Sequence, residues 1–517
     1  MSDKKETEEK HRHLSAYDTA RGALYITIKN LIVGVVGSLF YMFIARFLPH
    51  VADLGLIHGL QILIVISVTL ACLGLTNAAT RFIPYHIGSG RKDLAKGTST
   101  LIFRFGLVSS FLVSMLLFLT ANYIATVFFH DINYTGLVRL TSIDVFFFSM
   151  VTFANYILYS FQEFKKVAII LVANSAIKFA TAFVLLLLGL IVDGIIMGLI
   201  FGDIVTFLIF IWLLKPQMRT AGSAISKYML RDLLNYSIPI FGSQIFFFLS
   251  VNIDYYLVLI LSGLFTAGVY SPAVLIVTMY IAIIMGSGET LLPYFSRLYG
   301  KSGIESLKNA SIFTSRYVFL FYFPVGFAML ASSSPLIILV FGQKYSESTF
   351  PAVILILATT LTSLGIVFNY ILMSAGYSRL FLMSTLMALI VQIIVSVATI
   401  PSIGAIGAAL ARASAFAIGF LYPAYKLKQI SGLYYDVHAL RNGLIGSVIM
   451  TVTILILNYY LIYPYYLPLN LFIGFFSYLI FLRFTGTMRI QDFETIDNIL
   501  SYKLRSPLRL LARIVIR

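Results

Sequence analysis

The sequence predicts an all-α polytopic membrane protein with fourteen transmembrane helices, twelve of them in two parallel six-helix repeats and two more at the C-terminal end. Three observations predict it. The chain of 517 residues is 59% hydrophobic and only 11% charged, with a mean hydropathy of +0.93, whereas soluble chains carry about 25% charged residues. The apolar excess comes in successive stretches of about 20 residues, the length that spans a bilayer as a helix. One stretch also occurs twice. Pro84-Tyr85, Gly88, Asp93 and Lys96 return in the same order as Pro293-Tyr294, Gly300, Glu305 and Lys308.

Residues 1–21 read as a cytoplasmic tail of mixed charge, without the apolar core or cleavage site of a signal peptide, so the first span is expected to direct insertion. Helices are the default for the spans because lipid offers backbone groups no partner. They fall near 22–48, 53–82, 100–121, 137–160, 166–190 and 193–214, giving a first repeat over 22–214. A cytoplasmic linker at 215–234 follows. The second repeat, 235–425, holds spans near 235–261, 266–293, 312–333, 350–375, 379–400 and 404–425. Spans 13 and 14 occupy 440–486, and 487–517 is a basic cytoplasmic tail, readable as an amphipathic surface helix or as a charged topology signal.

Orientation follows from the cations. One set of connectors carries Arg91, Lys92, Lys96, Lys165, Lys166, Lys215, Arg219, Lys227, Arg231, Arg297, Lys301, Lys308, Lys426 and Lys428, while the alternate set carries only Lys344. By the positive-inside rule the first set and both termini are cytoplasmic. The net charge of +16 is then read as loops facing anionic lipids, with no nucleic-acid partner. Six spans is an even number, so the two repeats share one orientation. A second recurrence supports them: Asn155-Tyr156-Ile157-Leu158 returns 214 residues later as Asn369-Tyr370-Ile371-Leu372.

At this point the residues resemble a known family. The runs ARFLPHVADLGLIHG (45–59) and LGLTNAATRFIPYHIGSGRKDLAKG (73–97), with Asn252-Ile253-Asp254, Gly263, Gly268 and Tyr270 in the second repeat, resemble the polysaccharide-biosynthesis transporter family. These are O-antigen-flippase-like members of the multidrug/oligosaccharidyl-lipid/polysaccharide exporter superfamily. Pro49-His50-Val51-Ala52-Asp53 stands where the family often has Gly-Pro-Glu and an aromatic. The resemblance implies two lobes around a central cavity, working by alternating access. It implies a cargo of oligosaccharide on a polyprenyl or dolichyl (di)phosphate, moved from the cytoplasmic to the outer leaflet of the cell membrane.

Ionisable groups at membrane depth are costly and mark cavities or pairs. Lys29, Lys178 and Arg412 are the deep cations, and Arg46 and Arg139 lie near external span ends. Together with Asn155 and Asn369 they are the candidate cargo contacts, since Arg and Lys suit a phosphate headgroup. Each has a competing reading: the cations as members of buried pairs, the asparagines as interhelical bonds. Asp203 and Asp254 are candidates for Na+ or H+ coupling, against a buried hydrogen-bonded carboxyl. Asp203 and Arg412 fall at matching positions of the two repeats. Arg81 and Glu289, just before the repeated prolines, are candidates for an inner gate, although Arg81 at a cytoplasmic end could equally snorkel to the surface.

No enzyme constellation is found. The connector GSGRKD (88–93) matches neither a dinucleotide nor a phosphate-loop spacing. The single Cys72 and scattered histidines offer no metal site, and no cofactor is expected. A small-molecule or multidrug antiporter of the same superfamily is the alternative. A membrane glycan polymerase or ligase is disfavoured by short loops without acidic pairs. A monomer suffices for two pseudo-symmetric lobes.

Overall fold

The computed structural model describes residue 29 and residues 32–487, except 35, 38, 219–226, 433 and 462–465. Among the described residues all regular structure is helical. The chain divides into two compact units, Met1–Asn252 and Ile253–Arg517. The predicted basic tail at 487–517 lies almost wholly outside the described residues.

The first unit contains α1 (Ile32–Phe47), α2 (Val51–Cys72), α3 (Leu75–Gly88), α4 (Lys92–Leu119), α5 (Ala121–Phe128), α6 (Thr135–Ser160), α7 (Phe164–Leu187) and α8 (Ile191–Met218). The unusual stretch after Leu48 makes a capping box for α2. The His50 backbone N–H donates to Asp53 Oδ2 at 2.9 Å, satisfying a donor the helix start leaves orphaned. The second predicted span is not one helix: Leu73 (φ 47°) and Gly74 (φ 72°) are left-handed and separate α2 from α3. The connector 122–136 holds α5 and a 3₁₀ turn at Ile132–Tyr134.

α6 is the hub of this unit, packed on α2, α3, α4, α7 and α8. Small residues allow the approach of α7 and α8, as at other membrane helix pairs. A Cβ on Gly198 would lie 2.4 Å from the Ala182 backbone, so only glycine fits. The unit extends into the start of the long helical run α9 (Lys227–Tyr317), because the backbone of Gly74 packs on that of Ser237.

The second unit holds the rest of α9, then α10 (Phe323–Ala331), α11 (Ser333–Phe341), α12 (Thr349–Thr362), α13 (Leu364–Ser374), α14 (Ser378–Ile430), α15 (Val437–Tyr460) and α16 (Leu467–Phe484). Gly404 (φ 54°, ψ −127°) divides α14 into two helices. A π-helical turn at Val318–Tyr322 precedes α10. Its freed carbonyls are satisfied from neighbouring segments: Tyr478 Oη donates to Leu320 O at 2.9 Å and Tyr280 Oη to Tyr322 O at 2.8 Å. Phe319, Phe323, Phe368, Leu364, Met450 and Tyr478 form the core that seats α15 and α16 on this unit.

Ten described helices are long and apolar enough to cross a bilayer, or eleven counting the pair Gln343–Thr362 and Leu364–Ser374, bent by 43°. The chain is a multi-pass membrane protein. Two of the ten, Arg231–Ala282 and Arg379–Ile430, run for 52 residues each. At 1.5 Å per residue each is about 78 Å if straight, more than twice the hydrocarbon thickness of about 30 Å.

Candidate transport site

Among the described residues each unit holds an ion pair inside its apolar helices, Lys178–Asp203 in the first and Arg412–Asp254 in the second, and the two are built differently. In the first unit, Lys178 of α7 reaches Asp203 of α8, Nζ to Oδ2 2.7 Å. Asn174, one helical turn before Lys178, donates from Nδ2 to Asp203 Oδ1 at 3.0 Å. The ammonium also lies 4.8 Å from the centroid of the Phe148 ring. Asp203 is fully buried and the Lys178 side chain is 15% exposed. A Cβ at Gly202 would meet Lys178 Cγ at 2.3 Å, so glycine there leaves room for the lysine stem.

In the second unit the polarity is reversed. Arg412 of α14 forks onto Asp254 of α9, Nε to Oδ2 and Nη2 to Oδ1, both 2.7 Å. Tyr270 Oη donates to Asp254 Oδ2 at 2.5 Å, and the Tyr255 ring stacks on Tyr270. Both charged groups are buried. Every charge is matched here: one guanidinium, one carboxylate, and a phenol bond on the remaining acceptor capacity. Such a bidentate pair is the strong form of the interaction. Asp203 and Arg412, at matching repeat positions, thus each hold an ion pair within their own unit, with opposite sign.

Lys29 differs from the other two deep cations. It is half-buried, and among the described residues it meets no carboxylate. Its Nζ donates to Tyr159 Oη at 3.3 Å, and Tyr156 packs edge-on against Tyr159. Asn155, on the same helix, has its buried Oδ1 without a hydrogen-bond partner. Lys29 thus meets α6 through the Tyr159 hydroxyl, on the helix that also carries Tyr156 and Asn155.

The remaining candidates are dispersed. Arg46 and Arg139 are both exposed, and Arg139 lies over the Phe118 ring at 5.2 Å. Asn369 donates to Gly365 O (3.0 Å) and to Gly419 O (3.3 Å), joining α13 to α14. Arg81 is exposed, with its guanidinium 4.3 Å from the Tyr236 ring. Glu289 is helical, and its side chain lies outside the described residues. Arg316 is not a surface cation: it is buried, with Nη1 donating to Asp436 Oδ2 at 3.1 Å. Among the described residues no group of three or more His, Cys, Asp or Glu could hold a metal ion.

Two buried groups escaped the sequence reading. Asp144 of α6 is 2% exposed, and its Oδ1 has no hydrogen-bond partner. Its signal was available: a lone carboxylate among the apolar residues of the fourth predicted span. Gln392 stands 214 residues after Lys178, the offset of the asparagine repeat, and neither of its buried amide atoms is bonded. The lysine of one repeat is thus an amide in the other.

The comparisons with known proteins agree with this architecture. A family model described as polysaccharide biosynthesis protein matches residues 43–350. The probable low-salt glycan biosynthesis flippase Agl15 of Haloferax volcanii is 25% identical over 276 residues, covering 52% of this chain. The chain spans 56% of the length of that curated relative. Among solved structures, the lipid II flippase MurJ in an inward closed conformation has a TM-score of 0.69 at 16% identity, over 89% of this chain and 98% of that one. An inward-facing multidrug resistance MATE family transporter of the MOP superfamily has a TM-score of 0.64 at 17% identity, over 79% and 99%. At these identities the structural likeness is one of fold. With the family match extending over more than half of its length, the chain belongs to the polysaccharide biosynthesis protein family.

Proposed function

We propose that this protein is a flippase. It moves an oligosaccharide on a polyprenyl or dolichyl (di)phosphate from the cytoplasmic to the outer leaflet, by alternating access of two lobes, 22–214 and 235–425. The observation that carries this reading is Lys29. It is the one deep candidate cation that meets a tyrosine hydroxyl, that of Tyr159, and no carboxylate among the described residues, so its charge is available to a phosphate. Lys178 and Arg412 are already neutralised, which narrows the headgroup contact to Lys29, Tyr159 and Asn155. Family membership, together with a relative named as a glycan biosynthesis flippase and a fold shared with a lipid II flippase, supports the same cargo class.

An inside-negative potential favours outward movement of a phosphate headgroup by about 2.3 kcal/mol per charge per 100 mV, and an ion gradient could add to it. Fourteen spans require each 52-residue run to hold two crossings, with Gly263 (φ 76°) and Gly404 at the turns. The positive-inside pattern then puts both termini in the cytoplasm, in the cell membrane, with basic connectors on anionic lipid. Arg81 and Glu289 remain the proposed inner gate, and a monomer is the proposed unit.

The test is reconstitution into liposomes with a fluorescent lipid-linked oligosaccharide. Lys29→Gln is expected to lower the flipping rate about tenfold, the loss of a charge-assisted bond of about 1.4 kcal/mol. An unchanged rate would remove Lys29 from the cargo path. Wild-type liposomes that export a cationic drug and leave the glycolipid in place would favour the antiporter reading, which the MATE-like fold keeps open.

A further inference from the structure

The ion pair of the first unit has a third charged member. Asp144 stands one helical turn before Phe148, whose ring centroid is 4.8 Å from the Lys178 ammonium, and its carboxyl is within electrostatic and hydrogen-bonding range of Asp203. Three helices therefore bring two carboxyl groups and one ammonium into a site where Asp203 is fully buried and Asp144 is 2% exposed. Fully ionised, the cluster carries one uncompensated negative charge. Burial of such a charge is strongly unfavourable, and two carboxylates in contact cannot both remain ionised at low cost. The matched set around Asp254 in the second unit has no such excess, so the asymmetry belongs to this lobe.

A single proton resolves both problems. Placed between Asp144 and Asp203 it makes one carboxyl the donor and the other the acceptor, and the site becomes neutral. A sodium ion fits less well. The Lys178 ammonium lies 2.7 Å from Asp203 Oδ2 and Oδ1 accepts from Asn174, so Asp203 is already engaged, while Asp144 Oδ1 and Asp203 Oδ2 both lack a hydrogen-bond donor. A hard cation needs about six oxygen ligands. Of the helices packed on α6, only α7 and α8 present charged groups that act on Asp144, namely Lys178 and Asp203.

We infer that Asp144 and Asp203 share one exchangeable proton, and that its binding and release couple a proton gradient to the conformational cycle of the first lobe. Release sends the proton to water and leaves a net negative site, in which Asp144 loses its bond to Asp203 and repels it. α6 and α8 would then re-pack around Lys178. This deepens the flippase reading by naming the coupled ion, and its first readout does not depend on that reading.

The experiment is infrared difference spectroscopy on the purified protein in nanodiscs, across a pH titration. A protonated-carboxyl C=O band is expected in the wild type, lost on raising the pH and absent in Asp144→Asn. Lys178→Gln removes the competing cation, so the band should persist to a pH about 1–3 units higher. That variant carries the test if Asp144→Asn fails to fold. No band at any pH, or a band that survives in folded Asp144→Asn, would overturn the shared proton. Loss of the band on adding NaCl, but not choline chloride, at fixed pH would reassign the site to sodium. In liposomes, an imposed pH gradient should change wild-type glycolipid flipping and leave Asp144→Asn unresponsive. Flipping insensitive to the gradient, with the band present, would overturn coupling alone. A band with no flipping of any glycolipid would sink the flippase reading and leave the proton site standing.

Discussion

At the scale of single residues, Lys178 and Arg412 are each bonded to a buried carboxylate, whereas Lys29 meets the Tyr159 hydroxyl. Arg412 and Asp254 are joined by two 2.7 Å bonds in a site that excludes water. Removing one partner of such a pair leaves the other buried and uncompensated, a cost of about 3–5 kcal/mol. Asp254→Asn is therefore expected to lower thermal stability sharply, by a shift in the unfolding midpoint readable in detergent. Arg412→Lys should be destabilising too, because an ammonium cannot fork onto both oxygens. An unchanged midpoint for Asp254→Asn would mean the pair is dispensable to the fold. The sequence already admits these residues as members of buried pairs. Which cation pairs with which acid was not, since Arg412 and Asp254 are 158 residues apart.

At the scale of elements, helix contact is set by where side chains are missing. Gly198→Val is expected to push α8 away from α7, since even a Cβ would overlap the Ala182 backbone. Overpacking of this kind costs about 1–3 kcal/mol, and the measurable result is a lower yield of folded protein or a lower unfolding midpoint. Gly202→Ala is a milder change with a sharper readout. The new methyl overlaps the flexible Lys178 Cγ and meets the Lys178 backbone N and Cα only at 3.2 and 3.3 Å, so the helix pair should survive with a small shift while the Lys178–Asp203 bond is displaced. The infrared band proposed for Asp144 should then titrate at higher pH, as in Lys178→Gln. The breaks at Leu73-Gly74 and at Gly404 show why a hydropathy reading misplaces element ends. Both lie in stretches apolar enough to look continuous, and a left-handed backbone is set by local packing rather than by composition.

At the scale of the whole molecule, the proposed topology can be tested with the chain's own chemistry. Cys72 is the only cysteine and is buried, so it forms a quiet background for accessibility labelling. Ser89→Cys should react with an impermeant maleimide only from the cytoplasmic side, and Asn133→Cys only from the outside. Reaction of both from one side would overturn the alternation of connectors and with it the even span count. The same labelling at Ser262 and Ser402, beside the turns at Gly263 and Gly404, should report the outer side if each 52-residue run folds back as two crossings.

The sequence by itself determined the membrane class, the helical architecture and the internal repeat. Each of these depends on composition or spacing along the chain: apolar stretches of bilayer length, cations in alternate connectors, and Pro-Tyr and Asn-Tyr strings at a fixed offset. Tertiary structure alone decided what the buried charges do. Lys29, Lys178 and Arg412 look alike in a hydropathy profile, each a cation in an apolar span. Only folding shows that Asp203 and Asp254 consume two of them, that Lys29 meets Tyr159, and that Asp144 is left beside an already paired carboxylate. The reason is physical. In a low-dielectric interior the state of a charge is set by the few atoms within about 4 Å of it, and those atoms come from other helices.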